Sequence, residues 1–140
     1  MRHRLAVAVV LVLLAPLVCA DGQGKIGLLN GANFNTTSDQ PISISYGRYT
    51  IRRITVQNCS ASLTLAVGGF YTGASKTGTT IVANTQVYTA LTSAAKFLDV
   101  TLAAIITTDV LTANPIYLSL TTGQGSAATC NVAIFGDILD

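Results

Sequence analysis

A period of two runs through most of this chain. Ile42, Ile44 and Tyr46 alternate with Ser43 and Ser45 directly after Pro41. Leu63, Leu65 and Val67 repeat the pattern, as do Ile116, Leu118 and Leu120 after Pro115, and Cys130, Val132 and Ile134 before Gly136-Asp137. Successive strand side chains point to opposite faces, so each run predicts a half-buried strand. Lys25 to Leu29, Thr79 to Val82 and Phe97 to Leu102 add shorter candidates, the last with Leu98, Val100 and Leu102 on one face.

One strand changes phase. In Tyr49 to Gln57, Tyr49 and Ile51 share one parity whereas Ile54 and Val56 share the other. A one-residue slip at Arg52-Arg53 is what a β-bulge produces. Gly68-Gly69 ahead of Phe70-Tyr71 marks a second bulge or corner. Turns are expected at Asn30 to Asn35, Gly47-Arg48, Lys76-Thr77-Gly78 and Thr121 to Ser126. Ala103 to Thr112 suits a strand, a loop or one helical turn equally well.

About eight short strands at this spacing, with few strong helix formers between them, predict an all-β domain. An antiparallel β-sandwich is the expected architecture, with the jelly roll as one form of it. No linker divides the chain, so residues 21–140 are expected to form one sandwich domain.

The first twenty residues read differently. Met1-Arg2-His3-Arg4 is a basic start, Leu5 to Leu14 is an unbroken apolar run, and Pro16 precedes Val18-Cys19-Ala20. This is the three-part pattern of a cleavable secretory signal peptide over residues 1–20, ending after Ala20. A retained anchor would need about 20 apolar residues without interruption. Acylation at Cys19 is a further alternative, against which Val18 is a poor preceding residue. The expected destination is therefore the periplasm or the exterior, with no membrane association after cleavage.

Export changes the reading of the cysteines. Cys59 and Cys130 allow one intramolecular connection, and an oxidising compartment permits it. Two buried thiols acting as small hydrophobes are the alternative.

Charge is sparse and balanced. Eight Lys/Arg against six Asp give +2 for the whole chain, and Arg2 and Arg4 account for that excess. The expected product is neutral, with no general electrostatic attraction to nucleic acid.

The only histidine is His3, in the leader, and the chain has no glutamate or tryptophan. A serine or cysteine nucleophile would thus lack its usual base, and a Cys/His zinc site cannot be built. Asp39, Asp99, Asp109 and Asp137 show no spacing that identifies a catalytic pair. Neither a catalytic role nor a cofactor is expected.

The densest cluster of recognition chemistry is Tyr46-Gly47-Arg48-Tyr49-Thr50-Ile51-Arg52-Arg53. Tyr46, Arg48, Tyr49, Arg52 and Arg53 are candidate binding residues, with rings to stack on a sugar or base and guanidinium forks to contact carboxylate, sulfate or phosphate. A hairpin whose arginines discourage edge pairing is the alternative. Asn35-Thr36-Thr37 and Asn58-Cys59-Ser60 match the N-glycosylation acceptor pattern.

Gly68 to Lys76, Ala90 to Phe97, and Ile116 to Thr122 with Val132 to Asp137 together resemble short Ala/Thr-rich β-proteins of bacterial and phage genomes, often encoded near virion structural genes. Those proteins are mostly uncharacterised, so the resemblance carries no functional residue across, and the leader, which a virion protein assembled in the cytoplasm does not need, favours a bacterial product sharing the module. Two functions are therefore expected to compete. One is an exported structural or interaction protein, including a homo-oligomer. The other is a module that binds carbohydrate or another small ligand.

Overall fold

The computed structural model describes residues 24–139. The expected signal peptide lies outside them. The strands are β1 (Gly24–Asn33), β2 (Gln40–Ile42), β3 (Arg53–Gln57), β4 (Val67–Gly73), β5 (Thr77–Val82), β6 (Phe97–Asp99), β7 (Ile116–Thr122) and β8 (Thr129–Gly136). A single 3₁₀ turn, Ala104–Thr107, is the only helical piece among the described residues.

The strands form two antiparallel four-stranded sheets, β1-β8-β3-β6 (sheet A) and β2-β7-β4-β5 (sheet B). The all-β class expected from the alternation is what the chain adopts. The pairing is nested: β1 lies beside β8, β2 beside β7, β3 beside β6 and β4 beside β5. Every connection changes sheet except the β4–β5 hairpin.

The core comes from the alternating residues. Ile54 and Val56 of β3, Ile116, Leu118 and Leu120 of β7, and Cys130, Val132 and Ile134 of β8 are all buried. Phe34 meets Tyr88 edge-on at 4.9 Å between ring centroids, and the Tyr88 hydroxyl donates to the Gly68 carbonyl at 3.1 Å. That bond gives the buried phenol the partner it needs. Burial pushes the Tyr88 hydroxyl pKa far up.

The phase slip at Arg52-Arg53 is present. Arg53 stands opposite Phe135, while the Arg52 amide donates to the same Phe135 carbonyl at 2.9 Å. Two residues facing one is the signature of a bulge. Tyr49 and Ile51 are consequently buried alongside Ile54 and Val56, and both arginines are exposed. Gly68-Gly69 marks a site of close approach: a Cβ on Gly69 would lie 2.1 Å from the Val82 carbonyl oxygen, and one on Gly68 2.3 Å from Leu120 Cα.

Four expectations need correction. The turn expected at Asn30 to Asn35 is mostly strand. There β1 bulges, pairing Leu29 with Val132 and then Ala32 with Cys130, and Gly31 takes φ +67°. The strand expected over Ile42 to Tyr46 ends at Ile42. Ile44 leaves sheet B to bridge Gly27 of β1, and both isoleucines stay buried because the chain changes sheet without changing face. Leu63, Leu65 and Val67 do not make a strand: Leu63 and Ala66 are buried whereas Leu65 is 59% exposed. The strand expected over Phe97 to Leu102 is cut to Phe97–Asp99, after which Leu102 bridges Val82.

Where the ladders break, side-chain amides take over. Gln40 accepts from the Asn33 amide (2.6 Å) and donates to its carbonyl (2.8 Å). Asn114 treats Ile44 the same way, at 3.0 and 2.8 Å. Gln124 accepts from the Leu65 and Ala66 amides at 3.0 and 3.3 Å. Each primary amide offers a donor and an acceptor side by side, as a neighbouring strand would. Cys59 and Cys130 form a disulfide across 71 positions, joining the loop after β3 to β8.

Candidate functional site

The structure disperses the Tyr46 to Arg53 cluster. Tyr49 is fully buried. Its backbone pairs with Leu111 in both directions at 3.1 and 2.8 Å, and its hydroxyl donates to the Ala113 carbonyl at 2.5 Å. Burial raises its pKa to about 12. The ring is a core element and is not available to stack on a ligand. Tyr46 is half-buried against the core.

Arg52 is a clamp. Its Nε lies 2.6 Å from Asp137 Oδ2, and its NH1 donates to the Thr107 carbonyl at 2.5 Å. The Thr50 hydroxyl donates to the same Asp137 oxygen at 3.0 Å. These bonds join the entry to β3, the C-terminal segment and the 3₁₀ turn. The Asp137 carboxyl is held below its usual range, first by the Arg52 hydrogen bond and then by that of Thr50. Arg48 is exposed and its carbonyl accepts from the Leu139 amide at 3.0 Å.

Arg53 goes elsewhere, onto the outer face of sheet A. There its guanidinium carbon sits 4.5 Å from the centroid of the Phe135 ring, within cation–π range. The strand register brings it to residues that the linear cluster does not contain. Arg53 faces Phe135, Thr55 faces both Ala133 and Asp99, and Gln57 faces both Asn131 and Phe97. Arg53, Thr55, Gln57, Phe97, Asp99 and Phe135 line a shallow groove of about 250 Å³. Phe97 is 65% exposed, the most of any large hydrophobic described. The Thr55 hydroxyl donates to Asp99 Oδ1 at 2.5 Å, fixing that carboxylate.

The candidate residues therefore divide. Arg53 lines the groove, Tyr49 is buried and Arg52 is bonded to Asp137 and Thr107, and Tyr46 and Arg48 lie outside the groove. Phe97, Asp99 and Phe135 were missed as site residues. The one signal for them was parity: Phe97 and Asp99 occupy the outward positions opposite Leu98 and Val100.

A second surface feature surrounds residues 48–52. Tyr49 bridges Leu111 on one side and Ile138 on the other. The flanking segments expose Ile105, Val110, Ile138 and Leu139. Among the described residues there is no group of three or more His, Cys or Asp able to hold a metal ion, and no helix long and apolar enough to cross a membrane.

No protein-family model, curated protein or solved structure matches this chain.

Proposed function

We propose that this protein is an exported, non-enzymatic structural or interaction protein that works by surface contact, and that its sandwich is of jelly-roll type. The nested pairing supports the jelly roll: strands 1 to 4 lie against strands 8 to 5 as a two-stranded ribbon folded over into two sheets. The disulfide fits an oxidising compartment.

The observation that carries the contact reading is the group of exposed aliphatic side chains around residues 48–52. Ile105, Val110, Ile138 and Leu139 are each between 39% and 59% exposed, on a chain with only 10% charged residues. A surface apolar in patches and poor in charge favours association. Light scattering on the non-reduced protein should give a native mass of a trimer or larger. A strict monomer at high concentration, with nothing retained in pull-downs, would sink the reading. The double variant Ile105→Asp/Ile138→Asp should return the assembly to monomers without unfolding it.

A further inference from the structure

We propose that the groove across the outer face of sheet A binds a neutral sugar residue, stacked on Phe97 and held by Asp99, Gln57 and Arg53. The site is distinct from the apolar group at Ile105 and Ile138 and uses none of its side chains.

The shape follows from register. Three outward-facing rows cross the sheet: Gln57 with Phe97 and Asn131, Thr55 with Asp99 and Ala133, and Arg53 with Phe135. Outward residues two apart on a strand are about 6.8 Å apart. The middle row carries small, buried Thr55 and Ala133 beside the exposed Asp99, and Thr55 and Asp99 line the groove. Phe97 and Gln57 make one wall, and Arg53 and Phe135 the other. At about 250 Å³ the groove is smaller than a drug-sized cleft and suits one small ring.

The chemistry selects the ligand class. Arg53 bears a positive charge and Asp99 a negative one, set diagonally across the same groove. An anion drawn to Arg53 is repelled by Asp99, and a cation drawn to Asp99 is repelled by Arg53, so neither sign gains a net attraction and an uncharged partner rich in hydroxyls is favoured. A carboxylate accepts two hydroxyl hydrogen bonds, an amide both gives and accepts, and a guanidinium donates in a fork. Phe97 supplies a largely exposed aromatic ring, whose face can pack against the C–H face of a pyranose. The charged groups are also ordered in advance. Thr55 holds Asp99 and the Phe135 ring holds Arg53, so little side-chain freedom is lost on binding.

The experiment is NMR titration of the ¹⁵N-labelled, disulfide-bonded protein with glucose, galactose, mannose and N-acetylglucosamine, each in turn. At least one should give saturable shifts centred on the amides of Gln57, Phe97, Asp99 and Phe135. Phe97→Ala and Asp99→Asn should each weaken that binding about tenfold, with Phe97→Tyr restoring it. Both substitutions are on exposed side chains, and the unfolding midpoint checks that each variant is folded. Silence toward all four sugars overturns the proposal. So does saturable binding centred elsewhere, or binding that survives Phe97→Ala and Asp99→Asn. Light scattering on the same samples reads self-association separately, so failure here leaves the contact reading standing.

Discussion

Replacing Gln124 tests the idea that side-chain amides stand in for missing strands. Gln124 is 7% exposed, and its Oε1 is the acceptor for both the Leu65 and Ala66 amides. Its Nε2 donates to the Thr64 hydroxyl at 3.1 Å. Gln124→Met keeps the volume and removes the amide, so the change isolates the hydrogen bonds. Thr64 and Leu65 are exposed, and water replaces what they lose. Ala66 is fully buried, so its N–H is left without a partner. An orphaned buried donor costs about 1–3 kcal/mol. The expected loss is therefore about 2 kcal/mol, or about 8 °C in Tm for a domain of this size. Guanidinium unfolding followed by far-UV circular dichroism measures it, with Thr64→Ala as the near-neutral control. A loss below about 0.5 kcal/mol would refute the reasoning, because the loop amides would then be satisfied without Gln124.

Three further outcomes follow from the fold. Removing the disulfide with Cys59→Ala/Cys130→Ala should cost about 4 kcal/mol by the loop-entropy argument, read as a lower denaturant midpoint against the oxidised wild type. Gly69→Ala should destabilise by roughly 3 kcal/mol or prevent folding, because its Cβ would lie 2.1 Å from the Val82 carbonyl oxygen; an unchanged midpoint would contradict the packing. Acid should also weaken the fold. Asp39 is held below its usual range chiefly by the Ser119 hydroxyl and then by the Ser75 amide, and Asp137 chiefly by Arg52. A depressed carboxylate contributes stability above its unfolded value, about 3.9, and that contribution is lost as pH falls through the lower folded value. Melting temperature should thus drop below pH ~4, and Asp39→Asn should flatten the drop while lowering stability at neutral pH.

The legible parts of the fold were those where one local rule decides the outcome. β7 and β8 carry uninterrupted alternation because each turns one face to the core, and Ile116, Leu118 and Leu120 with Cys130, Val132 and Ile134 bury the expected face. The slip at Arg52-Arg53 was visible for the same reason. Where the chain changes sheet, parity misleads: Ile42 and Ile44 both point inward while belonging to different partners. At Leu65 the alternation is accidental, since Gln124 rather than a strand satisfies the backbone. The candidate site was half legible. Its cation and its aromatic rings come from β3, β6 and β8, and only the nested pairing places them side by side.

That nesting has a consequence for how the molecule is made. The shortest closure is the β4–β5 hairpin, and each later pair encloses the one before it. β1 must wait for β8, which follows every other described strand in the chain, and β8 then sits between β1 and β3. Pairings of such long sequence separation form slowly, because a large loop must close before any contact rewards it. A chain that cannot finish its first sheet without β8 stays open until β8 has emerged. Such a chain can still be passed through a narrow translocation pore, which suits the export proposed for it, and the disulfide between the loop after β3 and β8 can lock only after that last strand has arrived.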